Sequence, residues 1–239
     1  MGLFDNFKGR LPRHQELEEF YLAAVKKDWR SLRNITNQTP KICLTAVQQN
    51  SSALRFVNRQ TPELCMAAVR QDGYALKYVD IGLRTPEICM AAVKQNGYAL
   101  LHVIEQTLEL CMAAVQQNGM VLEYVNEEFK TYKICKAAVQ QSVGALQYVK
   151  EQTPEICMAA VKQKGYALRY VKEQTPEICL AAVQQNGRVL DLVEDQTKEV
   201  CLAAVNQTQD AIQCIRDPEM RKQVEEILKQ GSASAMSIF

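Results

Sequence analysis

Cysteine is the residue whose number and spacing most invite a chemical reading of this chain. Nine occur among 239 residues, and eight recur at one interval: Cys43, Cys65, Cys89, Cys111, Cys135, Cys157, Cys179 and Cys201. Disulfides, metal centres and nucleophilic thiolates all use cysteines. A disulfide needs Cα atoms within about 7 Å, whereas neighbouring helices in a stack sit roughly 8–10 Å apart. No Cys-x-x-Cys or Cys/His pair has metal-ligand spacing. The two histidines are His14 and His102, and neither pairs with a cysteine as its base. The sequence has no phosphate-binding glycine loop and no nucleophile elbow. The expectation is therefore no enzyme, no cofactor and no metal, with the thiols acting as small buried hydrophobes. Free thiols in this number fit a reducing compartment.

A second series is aromatic. Tyr78, Tyr124, Tyr148 and Tyr170 share one repeat position with Phe56 and His102, and Tyr74, Tyr98 and Tyr166 share another four residues earlier. Helical-repeat proteins that read RNA stack side chains on bases. Packing between repeats, with the hydroxyl at the surface, accounts for the same series. A net charge of +1 weighs against nucleic acid, because phosphate neutralisation dominates such affinity.

Positions fixed across repeats serve the stacking that all repeats share, whereas varying positions are free to serve a ligand. One varying position reads Arg55, Lys77, Leu101, Glu123, Gln147, Arg169, Asp191, Gln213. The candidate partner-binding residues are Arg55, Tyr78, His102, Glu123 and Arg169. A second varying position carries Arg70, Lys94 and Lys162 and no acid. These three form a candidate basic strip, with an ordinary solvated face as the alternative. Among the fixed residues is a glutamine, found at Gln49, Gln71, Gln95, Gln117, Gln141, Gln163, Gln185 and Gln207. It suits a hydrogen-bond ladder between repeats or a cap on helix ends, and a polar groove is the other reading.

The elements that carry these residues follow from the period. The pattern Thr-Pro-Glu-Ile-Cys-Met-Ala-Ala-Val begins at Thr39, Thr61, Thr85, Thr107, Thr131, Thr153, Thr175 and Thr197, with variations, and a weaker copy starts near Leu17. Such a period marks stacked repeats. Thr61 suits an N-cap and Pro62 the first helical position. Leu64, Cys65, Ala68 and Val69 share one helix face. Gly73 stands where a left-handed stop belongs, and a second, shorter helix follows with Ala75, Leu76 and Val79 inward. Neither helix is stable alone at this length. Two linkers, Asp80–Arg84 and Asn126–Lys130, are two residues longer than the others. They mark either a binding face or a neutral length variant.

The expected fold class is an all-α solenoid of about nine 22–24-residue helix-turn-helix repeats with a C-terminal capping helix. Its parts are an N-terminal segment (1–16), the solenoid (17–217), the capping helix (218–230) and a disordered tail (231–239). No apolar run reaches the roughly 20 residues of a membrane span, and the N-terminus lacks a signal-peptide core.

The string Gln-Thr-Pro-Glu-Ile-Cys-Met-Ala-Ala-Val, followed by Gly-Tyr-Ala-Leu-x-Tyr-Val, resembles the bacterial "domain of unknown function" repeat numbered 4116. Such repeats occur in uncharacterised bacterial proteins, some of them from Legionella. The likeness runs from about Thr39 to Arg216. It implies a helical-repeat fold and brings no active site with it. Glu225-Glu226 and the small, polar end Gly231–Phe239 resemble a type IV secretion signal. Together these imply a protein-protein interaction scaffold that acts as a secreted bacterial effector. It would start in the bacterial cytoplasm, reach the host cytosol and bind a host or bacterial protein. An RNA- or phosphate-binding repeat protein is the alternative. Oligomeric state and superhelix hand do not follow from the residues.

Overall fold

Eight of the repeats start on a threonine cap. In α3 (Pro62–Gln71) the Leu64 N–H donates to the Thr61 hydroxyl at 3.4 Å, and Pro62 takes the first helical position, where its missing N–H costs nothing. The computed structural model describes residues 14–236, with side chains as far as Gln230. In it the same threonine cap opens α2 (Pro40–Gln49), α4 (Pro86–Gln95), α5 (Leu108–Gln117) and α6 (Tyr132–Gln141). It also opens α7 (Pro154–Gln163), α8 (Pro176–Gln185) and α9 (Lys198–Gln207). Among the described residues there is no strand, and the fold is an all-α solenoid of consecutive packed repeats.

The chain divides into two compact units between Gln117 and Asn118. The first stacks α1 (His14–Lys27) to α5, with a short helix after each of α1 to α4. The second begins with the short helix Gly119–Tyr124, continues with α6 to α9, each followed by a short helix, and ends in α10 (Pro218–Met236). In both units the core is the repeated apolar face. In the third repeat Leu64, Cys65, Ala68 and Val69 are buried together with Ala75, Leu76 and Val79. Each large aliphatic side chain removed from water contributes roughly 1.5–3 kcal/mol. That burial between neighbours holds ten-residue helices that water alone would not support.

The second helix of each repeat is a six-residue 3-10 helix, such as Gly73–Tyr78. Its three-residue turn aligns Gly73, Leu76 and Val79, all buried. Asp72 caps it, the side chain accepting from the Tyr74 N–H at 2.9 Å. Asn50, Asn96, Asn118 and Asn186 do the same in their repeats.

This overturns the expected role of Gly73. The glycine does not stop α3 in a left-handed conformation, since the extended Asp72 ends that helix. Gly73 is needed because a Cβ there would lie 2.1 Å from the Ala92 carbonyl oxygen of the next repeat. Gly119, Gly165 and Gly187 meet Ala138, Ala182 and Ala204 in the same way.

The C-terminal helix starts at Pro218 and continues to Met236 rather than ending at Gln230. The residues 231–236 expected in a disordered tail are thus helical. Ala233 and Ala235 are strong helix formers, which offsets Gly231. The rest of the tail, 237–239, lies outside the described residues, as does most of the 1–16 segment.

Candidate functional site

The fixed glutamines join repeats. Gln95 Nε2 donates to the Gln71 carbonyl at 3.3 Å, and Gln95 Oε1 accepts the Gly73 N–H. Gln117, Gln185 and Gln207 accept from Gly97, Gly165 and Gly187 at 2.8, 2.7 and 2.6 Å. Gln49, Gln71 and Gln163 donate to carbonyls of the preceding repeat. These side chains bond one repeat to the next, the ladder that the fixed position suggested.

A second glutamine series, one residue before each threonine, escaped the sequence reading. Gln60 Nε2 donates to the carbonyls of Leu54 (3.4 Å) and Tyr78 (2.7 Å). Its Oε1 accepts from the Asp80 N–H at 2.9 Å and the Cys65 thiol at 3.4 Å. Gln38, Gln152, Gln174 and Gln196 make similar bonds. The signal was present as Gln-Thr in most repeats, but its meaning needs the neighbouring carbonyls.

The eight repeat cysteines are free and buried. Burial raises their thiols, those of Cys65 and Cys111 to about 11. A thiol held that high is a poor nucleophile at neutral pH.

The varying positions come together along the 3-10 helices of the first unit. Arg30 lies 4.9 Å from the centre of the Trp29 ring, which is 6.0 Å from Phe56. Arg55 lies 4.7 Å from Phe56 and 6.0 Å from Tyr78. Lys77 lies 4.8 Å from Tyr78 and 4.4 Å from Tyr74, and Tyr74 meets His102 edge-on at 5.0 Å. Cations and rings thus adjoin across the six-residue 3-10 helices of four successive repeats, each cation attracted through the ring quadrupole. For Tyr78, burial pushes the phenol up, but bonds from Lys77, Ser52 and Arg55 to its hydroxyl turn the net shift downward. Burial lowers His102, helped by the positive charges of Arg84 and Lys77, and its Nε2 is buried with no hydrogen-bond partner.

Three of the five predicted partner-binding residues, Arg55, Tyr78 and His102, belong to this ladder. Trp29, Arg30, Phe56, Tyr74 and Lys77 complete it. Their signal was the adjacency of cation and ring in Trp-Arg, Arg-Phe and Lys-Tyr. Glu123 and Arg169 lie in the second unit, both exposed, with Arg169 5.6 Å from the Tyr170 ring. Arg70 and Lys94 are exposed near the ends of α3 and α4 in the first unit, whereas Lys162 is on α7 in the second. The described residues place no carboxylate within ion-pair distance of Arg55 or Lys77. In the second unit Lys136 pairs with Glu155 at 2.6 Å and Arg188 with Asp210 at 2.7 Å.

The model of a family described as "Domain of unknown function (DUF4116)" matches the chain over residues 39–84, 61–106 and 107–153. The repeats in these segments are similar to that family's repeat. No curated protein and no solved structure matches the chain. Each DUF4116 match spans two of the repeats described above, so the family unit contains a junction held by glutamine. Arg55, Tyr78 and His102 fall within the first two DUF4116 matches, while Trp29 and Arg30 precede them. The DUF4116 description names no activity, and the matched segments form a repeat scaffold.

Proposed function

We propose that the chain is a protein-interaction scaffold whose first unit engages an acidic segment of a partner protein along its 3-10 edge. The observation that carries this reading is that Arg55 and Lys77 bracket Tyr78 and have no carboxylate of their own among the described residues. Their charge is available to a partner, and the aromatic bodies beneath them supply apolar contact.

Nucleic acid is the rival. A base stacks on an open ring face, but cations already lie over Trp29, Phe56, Tyr74 and Tyr78. A net charge of +1 leaves little for phosphate.

The test is affinity capture from a eukaryotic lysate, with and without RNase, using the chain and its R55E/K77E variant. A partner that survives RNase, carries an acidic segment and is lost with R55E/K77E supports the proposal. Loss on RNase treatment moves the assignment to nucleic acid, and a partner indifferent to both changes sinks the 3-10 edge.

A finer proposal is that this scaffold works inside a host cell as a secreted bacterial effector. It is supported by the resemblance of the repeats and by the composition of residues 225–239. A translocation reporter fused to the chain, with and without 231–239, tests it. Equal or absent delivery counts against it.

A further inference from the structure

The linker edge of the first unit breaks the repeat pattern. Ile104 occupies a position held elsewhere by Asn58, Lys150, Lys172, Glu194 and Arg216. Two cations at that position, Lys172 and Arg216, reach back to close the preceding linker. Lys172 Nζ donates to the carbonyls of Val149 (3.1 Å) and Lys150 (2.8 Å), and Arg216 does the same to Val193 and Glu194. Ile104 has no donor for this. Arg84, at the end of the longer linker, takes over one of these bonds, its Nε donating to Val79 O at 2.9 Å, while its Nη1 reaches His102 O at 2.8 Å as Gln60 reaches Tyr78 O. Backbone satisfaction therefore does not depend on Ile104, which is 62% exposed, or on Ile81 of the same linker, 70% exposed. Aliphatic side chains held in water beside a concave surface mark an interaction site.

The two isoleucines border a cleft of about 750 Å³, floored by Met90, Val103 and Leu110. Three carboxylates line it, Glu87, Glu105 and Glu109, with no cation within ion-pair distance among the described residues. The lining cation, Arg84, directs its Nε and Nη1 to carbonyls. Related clefts recur along the linkers, but differently lined. One of about 540 Å³ is bordered by Asn37, Asn58 and Arg59, and one of about 260 Å³ by Lys150 and Lys172. The apolar wall with an acidic rim is a feature of the Ile81–Ile104 cleft.

We infer that this cleft docks a short amphipathic segment of a partner protein, with aliphatic or aromatic side chains on one face and lysine or arginine at its flanks. The apolar wall supplies the anchor, and the carboxylates select the charge. This is a second surface, with a charge preference opposite to that of the Arg55–Lys77 edge, and it does not rest on the function proposed above.

The test is selection of a random peptide-display library on the full chain, followed by titration of enriched peptides against I104K, E105K/E109K and R55E/K77E. The expected peptides are basic and amphipathic and weaken about tenfold or more on I104K, the loss expected for one aliphatic anchor. They also weaken on E105K/E109K and bind R55E/K77E unchanged. I81S, at a still more exposed site, replaces I104K if that variant loses helix content. Acidic peptides, peptides insensitive to the cleft variants, or no enrichment at all would overturn the inference. So would sedimentation showing a dimer of the chain that I104K dissociates, because the cleft would then be a contact between copies.

Discussion

Gln60 donates its side-chain amide to the Tyr78 carbonyl at 2.7 Å, tying the start of one repeat's first helix to the end of its 3-10 helix. The same side chain also bonds the Leu54 carbonyl, the Asp80 N–H and the Cys65 thiol. Its two donors and both acceptor sites are thus in use. The tyrosine that belongs to the cation-aromatic ladder is in this way positioned through its own backbone.

Removing that amide strands several partners at once. Q60A is expected to lower stability by about 1–3 kcal/mol, the cost of leaving buried polar groups unpaired. Q48A, at an exposed position, should stay within about 0.5 kcal/mol of the parent. Urea unfolding of the two variants measures the contrast, and equal midpoints would remove Gln60 from the list of structural residues.

The glycines divide by what surrounds them. G73A puts a methyl group 2.1 Å from the Ala92 carbonyl oxygen and should cost about 1–3 kcal/mol or more through overpacking. Gly82 has nothing within 4 Å of its would-be Cβ, so G82A should be neutral or stabilising by up to about 1 kcal/mol. Thermal unfolding compares them. A harmless G73A would mean that the repeats separate easily at this junction.

His102 gives the stack a pH dependence with a defined sign. Burial, reinforced by Arg84 and Lys77, lowers it from its ordinary value of 6.5. The unfolded chain therefore binds a proton at a higher pH than the folded one, and stability falls as pH drops below about 6.5. H102F keeps the ring position that Phe56 fills in another repeat. Its melting temperature should decline less than the parent's on acidification. Parallel curves would show that His102 does not titrate differently on folding.

The thiols should label in an order set by burial. Cys214 is partly exposed and the other eight cysteines are buried. Limited iodoacetamide treatment of the native chain should therefore modify Cys214 first, and all nine cysteines should react after denaturation. Peptide mass spectrometry reads the order. Early modification of Cys65 or Cys111, whose thiols stand at about 11, would point to local opening of the stack.

Much of the scaffold was legible because each repeat states it again. Thr61 and Pro62 announce a helix start by local chemistry alone, and Leu64, Cys65, Ala68 and Val69 display its inner face. The tight second helix was harder, since Gly73-x-x-Leu76-x-x-Val79 has a period of three inside a segment short enough to pass for an α-helix. Gly73 was read as a conformational residue because its real constraint, Ala92, is nineteen positions away. Arg55, Tyr78 and His102 were visible as departures from the repeat. That Arg55 touches Tyr78 while Glu123 belongs to another unit depends on which repeats stack together. The Ile81–Ile104 cleft was signalled as a longer linker, but the exchange of a cation at 104 for Arg84 shows only in the carbonyls they reach.

The buried cysteines have a consequence for the history of each molecule. Folded, the chain keeps eight thiols out of reach of oxidants. Unfolded, all nine are open to random pairing, and cross-links between distant repeats cannot be accommodated when helices stack at roughly 8–10 Å. Oxidation thus works as a ratchet that acts only on chains caught open. A sample denatured with reductant should refold in full, whereas one denatured in air should return only in part, the missing fraction recording how long it stayed unfolded.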